Sequence, residues 1–337
     1  YPSWATNEVD YFILEKMEVS EFSPNDVASK DALVKRAYAD LIGLPPTYEE
    51  LTHWRSVSTE DWYERLIDDL LQKPAYGEKL ALIWMDLARY ANSYGFQDDN
   101  IRSQWPWRDW VIHAFNDNLP YDQFLINQIA GDLLPNATKK NILATAFFRN
   151  HKFTEEGGVI DEEYRVSYNI DKTRTYGKAF LGVTIECAQC HDHKYDPFSN
   201  REYYQLYAFF NESKEKGYEG DVSVSTPAKN PKLLISAQER NKLLSFLNTS
   251  DTSQLEVSVM GDWNPKDSIK PRATYILARG SYDTPTDQLV KPTALESIMP
   301  FDTTKYQRNR LGLAQWTTNA QNPLTARAFV NFIWQEL

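Results

Sequence analysis

Residues 1–212 run as a succession of helix-length segments, each opened or closed by its own local signal, and this confines most of the chain to a multi-helical fold. Thr6 is placed to cap a first helix through Phe12, Ile13 and Lys16. A second, from Asp31 to Ile42, meets Gly43 and then Pro45-Pro46, a strong stop. From Glu78 to Ala91 the residues Leu80, Ile83, Trp84, Leu87 and Ala91 recur at helical spacing and form one apolar face. On the same segment Asp86, Arg89 and Tyr90 fall at i, i+3 and i+4, the spacing of a structural ion pair. Pro106 suits the first turn of a helix that turns Trp107, Trp110, Val111 and Ala114 inward. Shorter helices are expected over Tyr121 to Gly131 and Thr138 to Phe148, and a longer one over Asp161 to Ala179. Ser199 or Asn200 can cap another that carries Tyr203, Tyr204, Tyr207 and Phe210.

Beyond about residue 213 the pattern changes. Asp221 to Ser225 and Leu255 to Val259 alternate as strands do, and Ala273 to Ala278 is a third candidate. Gly280, Pro285, Pro292 and Pro300 then break the chain into loops before helical sequence resumes near Thr303. The fold class is therefore mainly α, in three parts: a multi-helical domain over residues 1–215, a smaller β-containing region over 216–300, and the start of a further helical domain over 301–337. A first residue other than Met points to a processed N-terminus, and Phe329 to Leu337 reads as a helix cut in mid-course, so a longer parent protein is expected.

Composition narrows the partners. A net charge of −11 argues against nucleic acid or an anionic membrane surface, because phosphate binding needs clustered Lys and Arg. The basic clusters, Lys139-Lys140 and Arg308 with Arg310, are too short to supply that. No run of 18 apolar residues exists, so no transmembrane segment is expected in this chain. The 10 Trp and 20 Tyr serve cores, cofactor pockets or sugar-stacking platforms equally well. No Gly-x-Ser-x-Gly, P-loop or dinucleotide-binding glycine fingerprint occurs.

The chain has only two cysteines, and both fall in Cys187-Ala188-Gln189-Cys190-His191. This is the c-type haem attachment pattern, in which each thiolate adds to one vinyl group and the following histidine supplies the proximal nitrogen to iron. Two other readings use the same residues. Cys187, Cys190, His191 and His193 offer four zinc ligands, although adjacent Cys190 and His191 close one tetrahedron awkwardly. The cysteines also suit a redox disulfide, but no βαβ pattern surrounds them. Downstream, His193 is a candidate second metal ligand or a loop histidine held by Asp192 or Asp196, and those two carboxylates make a thin calcium site.

The other concentrated polar stretch is Asn150 to Gly158. His151 is a candidate distal metal ligand or proton carrier, and Glu155 and Glu156 are candidate general bases; a glycine-terminated surface loop is the structural alternative. His53 reads as a surface residue and His113 as part of an amphipathic helix, while Met85, Met260 and Met299 compete as sulfur ligands.

Several longer stretches carry a resemblance. Arg36 to Thr47, Trp84 to Ala91, Trp107 to Val111, Asn116 to Phe124, Ala130 to Pro135, Glu156 to Gly158, Cys187 to Pro197, Pro271 to Gly280 and Asn322 to Arg327 together resemble the planctomycete-type cytochrome-associated proteins, which carry paired PSCyt and PSD domains of unknown function. The resemblance covers nearly the whole chain. It implies covalent haem and a periplasmic, cell-surface or extracellular location, with a role linked to polysaccharide utilisation. Family members often begin with a separate small cytochrome module, whose haem motif has no counterpart here, and their second domain continues well past the position of Leu337. The function expected is an exported haem protein serving electron transfer or haem-dependent oxidation, with a cytochrome module or other redox protein as partner. The alternative is a non-enzymatic surface component of a glycan-capture assembly, in which the metal is structural and the aromatics hold sugar or partner.

Overall fold

A computed structural model describes residues 4–243, 254–264, 267 and 271–336. The chain divides into two compact units, Tyr1–Gln72 and Lys73–Leu337. No helix among the described residues is long and apolar enough to cross a membrane. The fold is mainly α with a small β region.

Among its described residues the first unit holds four helices, α1 (Glu8–Val19), α2 (Lys30–Ile42), α3 (Tyr48–Ser56) and α4 (Trp62–Leu71). Asn7, one residue later than expected, caps α1 in a reciprocal box with Asp10, and Thr6 instead donates to the Asp10 carboxylate. Gly43 ends α2 with φ +68, a left-handed conformation that costs glycine nothing. Sequence reading did not assign α3 and α4, although α4 carries Trp62, Leu66, Ile67 and Leu70 at helical spacing. Thr47 and Glu50 form the capping box of α3, and only Leu66 and Leu70, one turn apart, are buried on α4. α2 packs against both, burying Val34, Tyr38 and Trp54.

The second unit is built on α5 (Pro74–Leu87), α6 (Trp105–Asn116), α7 (Tyr121–Ala130), α8 (Lys139–Ala144), α9 (Asp161–Tyr176) and α10 (Asn200–Asn211). Its core is aromatic. Trp84 and Phe124 meet edge to face with centroids 5.0 Å apart, Phe147 and Phe180 lie at 5.0 Å, and Phe148 and Phe210 at 4.8 Å. Such pairs contribute about 0.5–1.5 kcal/mol each beyond their buried area. The expected helix over Thr138 to Phe148 changes to a 3-10 turn at Thr145–Arg149, and the one over Asp161 to Ala179 widens to a π turn at Gly177–Leu181.

α5 stops short of its expected end. Ala88 closes it and Arg89 takes φ +56, so Asp86, Arg89 and Tyr90 do not share a helix face. Arg89 is drawn instead to Asp171 on α9, with Nη2 2.8 Å from Oδ1, and Tyr90 stacks on Trp107.

Among the described residues the β region holds two antiparallel pairs. β1 (Lys232–Ile235), which leads into the short α11 (Ala237–Leu243), pairs with β2 (Leu255–Ser258), Lys232 opposite Ser258. β3 (Thr274–Leu277) pairs with β4 (Pro285–Val290), Thr274 opposite Val290. The alternation over Asp221 to Ser225 does not become a strand. Asp221 accepts from Ser223 N and seeds a 3-10 turn at Val222–Val224, whose two valines stay exposed. α12 (Arg310–Thr317) then packs on α7, and α13 (Pro323–Trp334) lies against the π turn.

Candidate functional site

The cysteine motif forms a surface turn before α10. Glu186–Gln189 is one 3-10 turn, and the N–H groups of Cys190 and His191 both reach back to the Cys187 carbonyl. The turn is held from behind. Asn200, the first residue of α10, donates from Nδ2 to the carbonyls of Ala188 (2.7 Å) and Gln189 (3.0 Å), and Tyr204 Oη donates to Gln189 O at 3.0 Å. The Gln189 side chain meets Arg174 and the Gly280 carbonyl. Both cysteines are free thiols and both are exposed, with Cys190 Sγ 3.2 Å from Arg279 O.

The His191 ring stands in solvent with Nδ1 2.7 Å from Asp192 O. A carbonyl only accepts, so the proton sits on Nδ1 and the Nε2 lone pair faces outward. His193 is wired the other way. Its Nδ1 accepts from Asp196 N at 2.9 Å and Tyr195 N at 3.4 Å, which places its proton on Nε2. It therefore shapes the loop and offers no lone pair beside His191. Asp192 is committed to Asn200 N at 2.8 Å, and among the described residues no group of three or more His, Cys, Asp or Glu side chains converges as metal ligands do.

The His151 stretch is built by different neighbours. Arg102 is buried and gives its guanidinium to backbone, donating to Ala91 O at 3.1 Å and to Asn150 O and His151 O at 2.8 Å. With no carboxylate in that set, burial pushes Arg102 down to about 10. His151 is 3% exposed and stacks on Tyr168, with centroids 4.5 Å apart. Its Nδ1 lies 2.7 Å from Lys152 O and its Nε2 2.9 Å from Glu215 Oε1. Both nitrogens face oxygen acceptors, so the ring is engaged on both sides. Glu215 also takes Arg149 Nε at 2.7 Å and Lys172 Nζ. Burial alone would raise the Glu215 carboxyl, but Arg149, Lys172 and His151 together hold it well below the carboxylate range. Burial pushes Lys172 down to about 8 against the pull of Glu215.

Glu155 is buried and accepts from Lys229, from Ser225 Oγ at 2.7 Å and from Asn100 Nδ2 at 2.8 Å. Burial raises its carboxyl, but those bonds hold it below its ordinary value, which fits an ion-pair anchor better than a proton acceptor. Glu156 is half-buried and accepts from Gln97 N. A Cβ on Gly157 or Gly158 would meet nothing within 4 Å, so the glycine pair serves the turn, with Gly158 at φ +85, and brings no backbone up to a ligand.

Sequence reading missed Arg102, Lys172 and Glu215. One signal was present: α9 buries Arg165, Asn169 and Lys172 at i, i+4 and i+7, a polar stripe on an inward face. A cavity of about 500 Å³ opens beside His151, and a second of about 740 Å³ is lined by Trp84, Tyr121, Phe198 and Phe332 among others.

A family model described as a protein of unknown function (DUF1549), PSCyt2, matches residues 8–215, more than half of the chain. The chain belongs to the PSCyt2 family. A second model, PSD1, also a protein of unknown function (DUF1553), matches residues 309–337. Comparison with curated proteins and with solved structures returned no match. The PSCyt2 segment holds the whole cysteine turn and, from Arg89 to Glu215, the charged network around His151. The PSD1 segment is tied into it by Arg310, which is fully buried: Nη1 and Nη2 reach Asp132 at 2.9 and 2.6 Å, Nε reaches Asp262 at 2.8 Å, and Nη1 also reaches Ile129 O at 2.7 Å.

Proposed function

We propose that this chain is an exported c-type haem protein that carries electrons in extracellular polysaccharide utilisation. One observation carries the reading: the only two cysteines are free, exposed and on a single turn, beside a histidine whose Nε2 lone pair is open. The donor set fits a c-type haem, since Cys187 and Cys190 supply two thiols for thioether bonds and His191 one axial nitrogen. When bound, that haem supplies one-electron redox chemistry. The chain contributes position. Asp192 O fixes the His191 tautomer, and Asn200 and Tyr204 anchor the backbone that presents the thiols. The motif lies on the surface rather than in either large cavity, which suits electron exchange with a partner better than oxidation of an enclosed substrate. Export fits thioether attachment, which takes place outside the bacterial cytoplasm, and a chain with no further cysteine to keep reduced.

Production in cells competent for c-type maturation tests this directly. The intact mass should exceed the sequence mass by one haem, and the colour should stay with the polypeptide after acid–acetone extraction. Cys187→Ala or Cys190→Ala should weaken attachment, and His191→Ala should change the iron spectrum most. A colourless protein of bare sequence mass from such cells overturns the proposal.

A further inference from the structure

The cavity beside His151 is lined by polar groups that the fold leaves unanswered. At about 500 Å³ it falls within the range of sites for small organic ligands. Asn150 lines it and is only 2% exposed, yet neither its amide nitrogen nor its amide oxygen has a hydrogen-bond partner. Buried amides are ordinarily satisfied, so both atoms point to a missing partner. Arg89 also lines the cavity. Its Nη2 pairs with Asp171 Oδ1 at 2.8 Å, while its Nε and Nη1 have no hydrogen-bond partner. The backbone holds Arg89 there at φ +56, a strained conformation for a residue with a Cβ.

Charge indicates the sign of the missing partner. Arg89, Arg102 and Lys152 line the cavity against Asp99 and Asp171, and behind His151 stand Arg149 and Lys172 against Glu215. Cations outnumber carboxylates in both layers, in a chain whose net charge is −11. Phe96, 40% exposed and also held at positive φ, lines the cavity with Lys152 Nζ 5.6 Å from its ring centroid, and brings an aromatic surface to the site.

The geometry points to a binding site for a small hydroxylated ring acid of hexuronate size. Its carboxylate meets Arg89, its hydroxyls meet the Asn150 amide and Asp99, and its ring lies against Phe96. The inference is independent of the cysteine turn and holds with or without haem.

Titration calorimetry with glucuronate, glucose and acetate against the parent chain and the Asn150→Ala and Arg89→Gln variants is the test. Glucuronate should bind the parent, glucose at least tenfold more weakly, and acetate without detectable heat. Asn150→Ala should weaken glucuronate at least tenfold while melting no lower than the parent, because a purely structural amide would lower the melting temperature when removed. Arg89→Gln should reduce the preference for glucuronate over glucose. The site is disproved if millimolar glucuronate gives no heat with the parent, if glucose binds as tightly, or if Asn150→Ala binds glucuronate as the parent does.

Discussion

Glu215 is a single carboxylate that answers Arg149, Lys172 and His151 in a buried setting, so its removal should be felt well beyond its own contacts. Taking one partner from a buried charge cluster costs about 3–5 kcal/mol, because the remaining charges stay desolvated. Glu215→Gln should therefore lower unfolding free energy by about that much at neutral pH, measured by urea denaturation. The pH dependence follows from the depressed carboxyl. Its stabilisation is fully present above the unfolded value near 4.5 and is lost as pH falls through the lower folded value. Parent stability should drop with acid below about pH 4.5, and the variant's curve should be flatter over that interval. Equal slopes for the two proteins would show that Glu215 is not ionised in the folded state. Lys172 acts in the opposite range: with a folded value near 8 against 10.5 unfolded, its burial penalty is complete below pH 8 and is relieved between those values.

The cysteine turn depends on α10 as an element. Ser199 caps that helix in a reciprocal box with Glu202, which fixes where it starts and so where Asn200 stands. From there Asn200 reaches the Ala188 and Gln189 carbonyls with one amide group. Asn200→Ala leaves the cap intact but frees both carbonyls. Amide exchange at residues 186–191 should become faster while exchange in the middle of α10 stays as in the parent. If protection at 186–191 is unchanged, the turn is held by Tyr204 and Gln189 without Asn200.

At the scale of the whole chain, compact structure and family boundaries divide the sequence differently. The PSCyt2 match spans both compact units and ends within the second, while the PSD1 match begins next to Arg310, whose ion pairs lie in the same unit. The change of texture near residue 215 likewise falls inside that unit, because β1 to β4 pack with the helices around one core. Residues 73–337 contain that entire core, so this fragment alone should unfold in a single cooperative transition, with near-ultraviolet dichroism from Trp84, Trp107 and Trp316. Secondary structure without near-ultraviolet signal would mean that residues 1–72 are needed for packing.

What was legible in the sequence was local. The cap at Ser199, the stop at Gly43, the inward faces of α6 and α10 and the Cys187 to His191 motif all depend on residues within a turn or two of one another. Patterning failed where distant residues decide. Arg89 leaves its helix for Asp171, and the proline-led β4 becomes a strand only by pairing with β3. His151 showed the same limit most clearly. In the sequence His151 is a candidate distal metal ligand or proton carrier; in the fold Glu215, 64 residues away, meets its Nε2, and Lys172 approaches the same carboxylate from α9. A charged group is buried only when partners meet it, and those partners come from separate elements; local periodicity sets which helices form, and only their packing determines which charges meet.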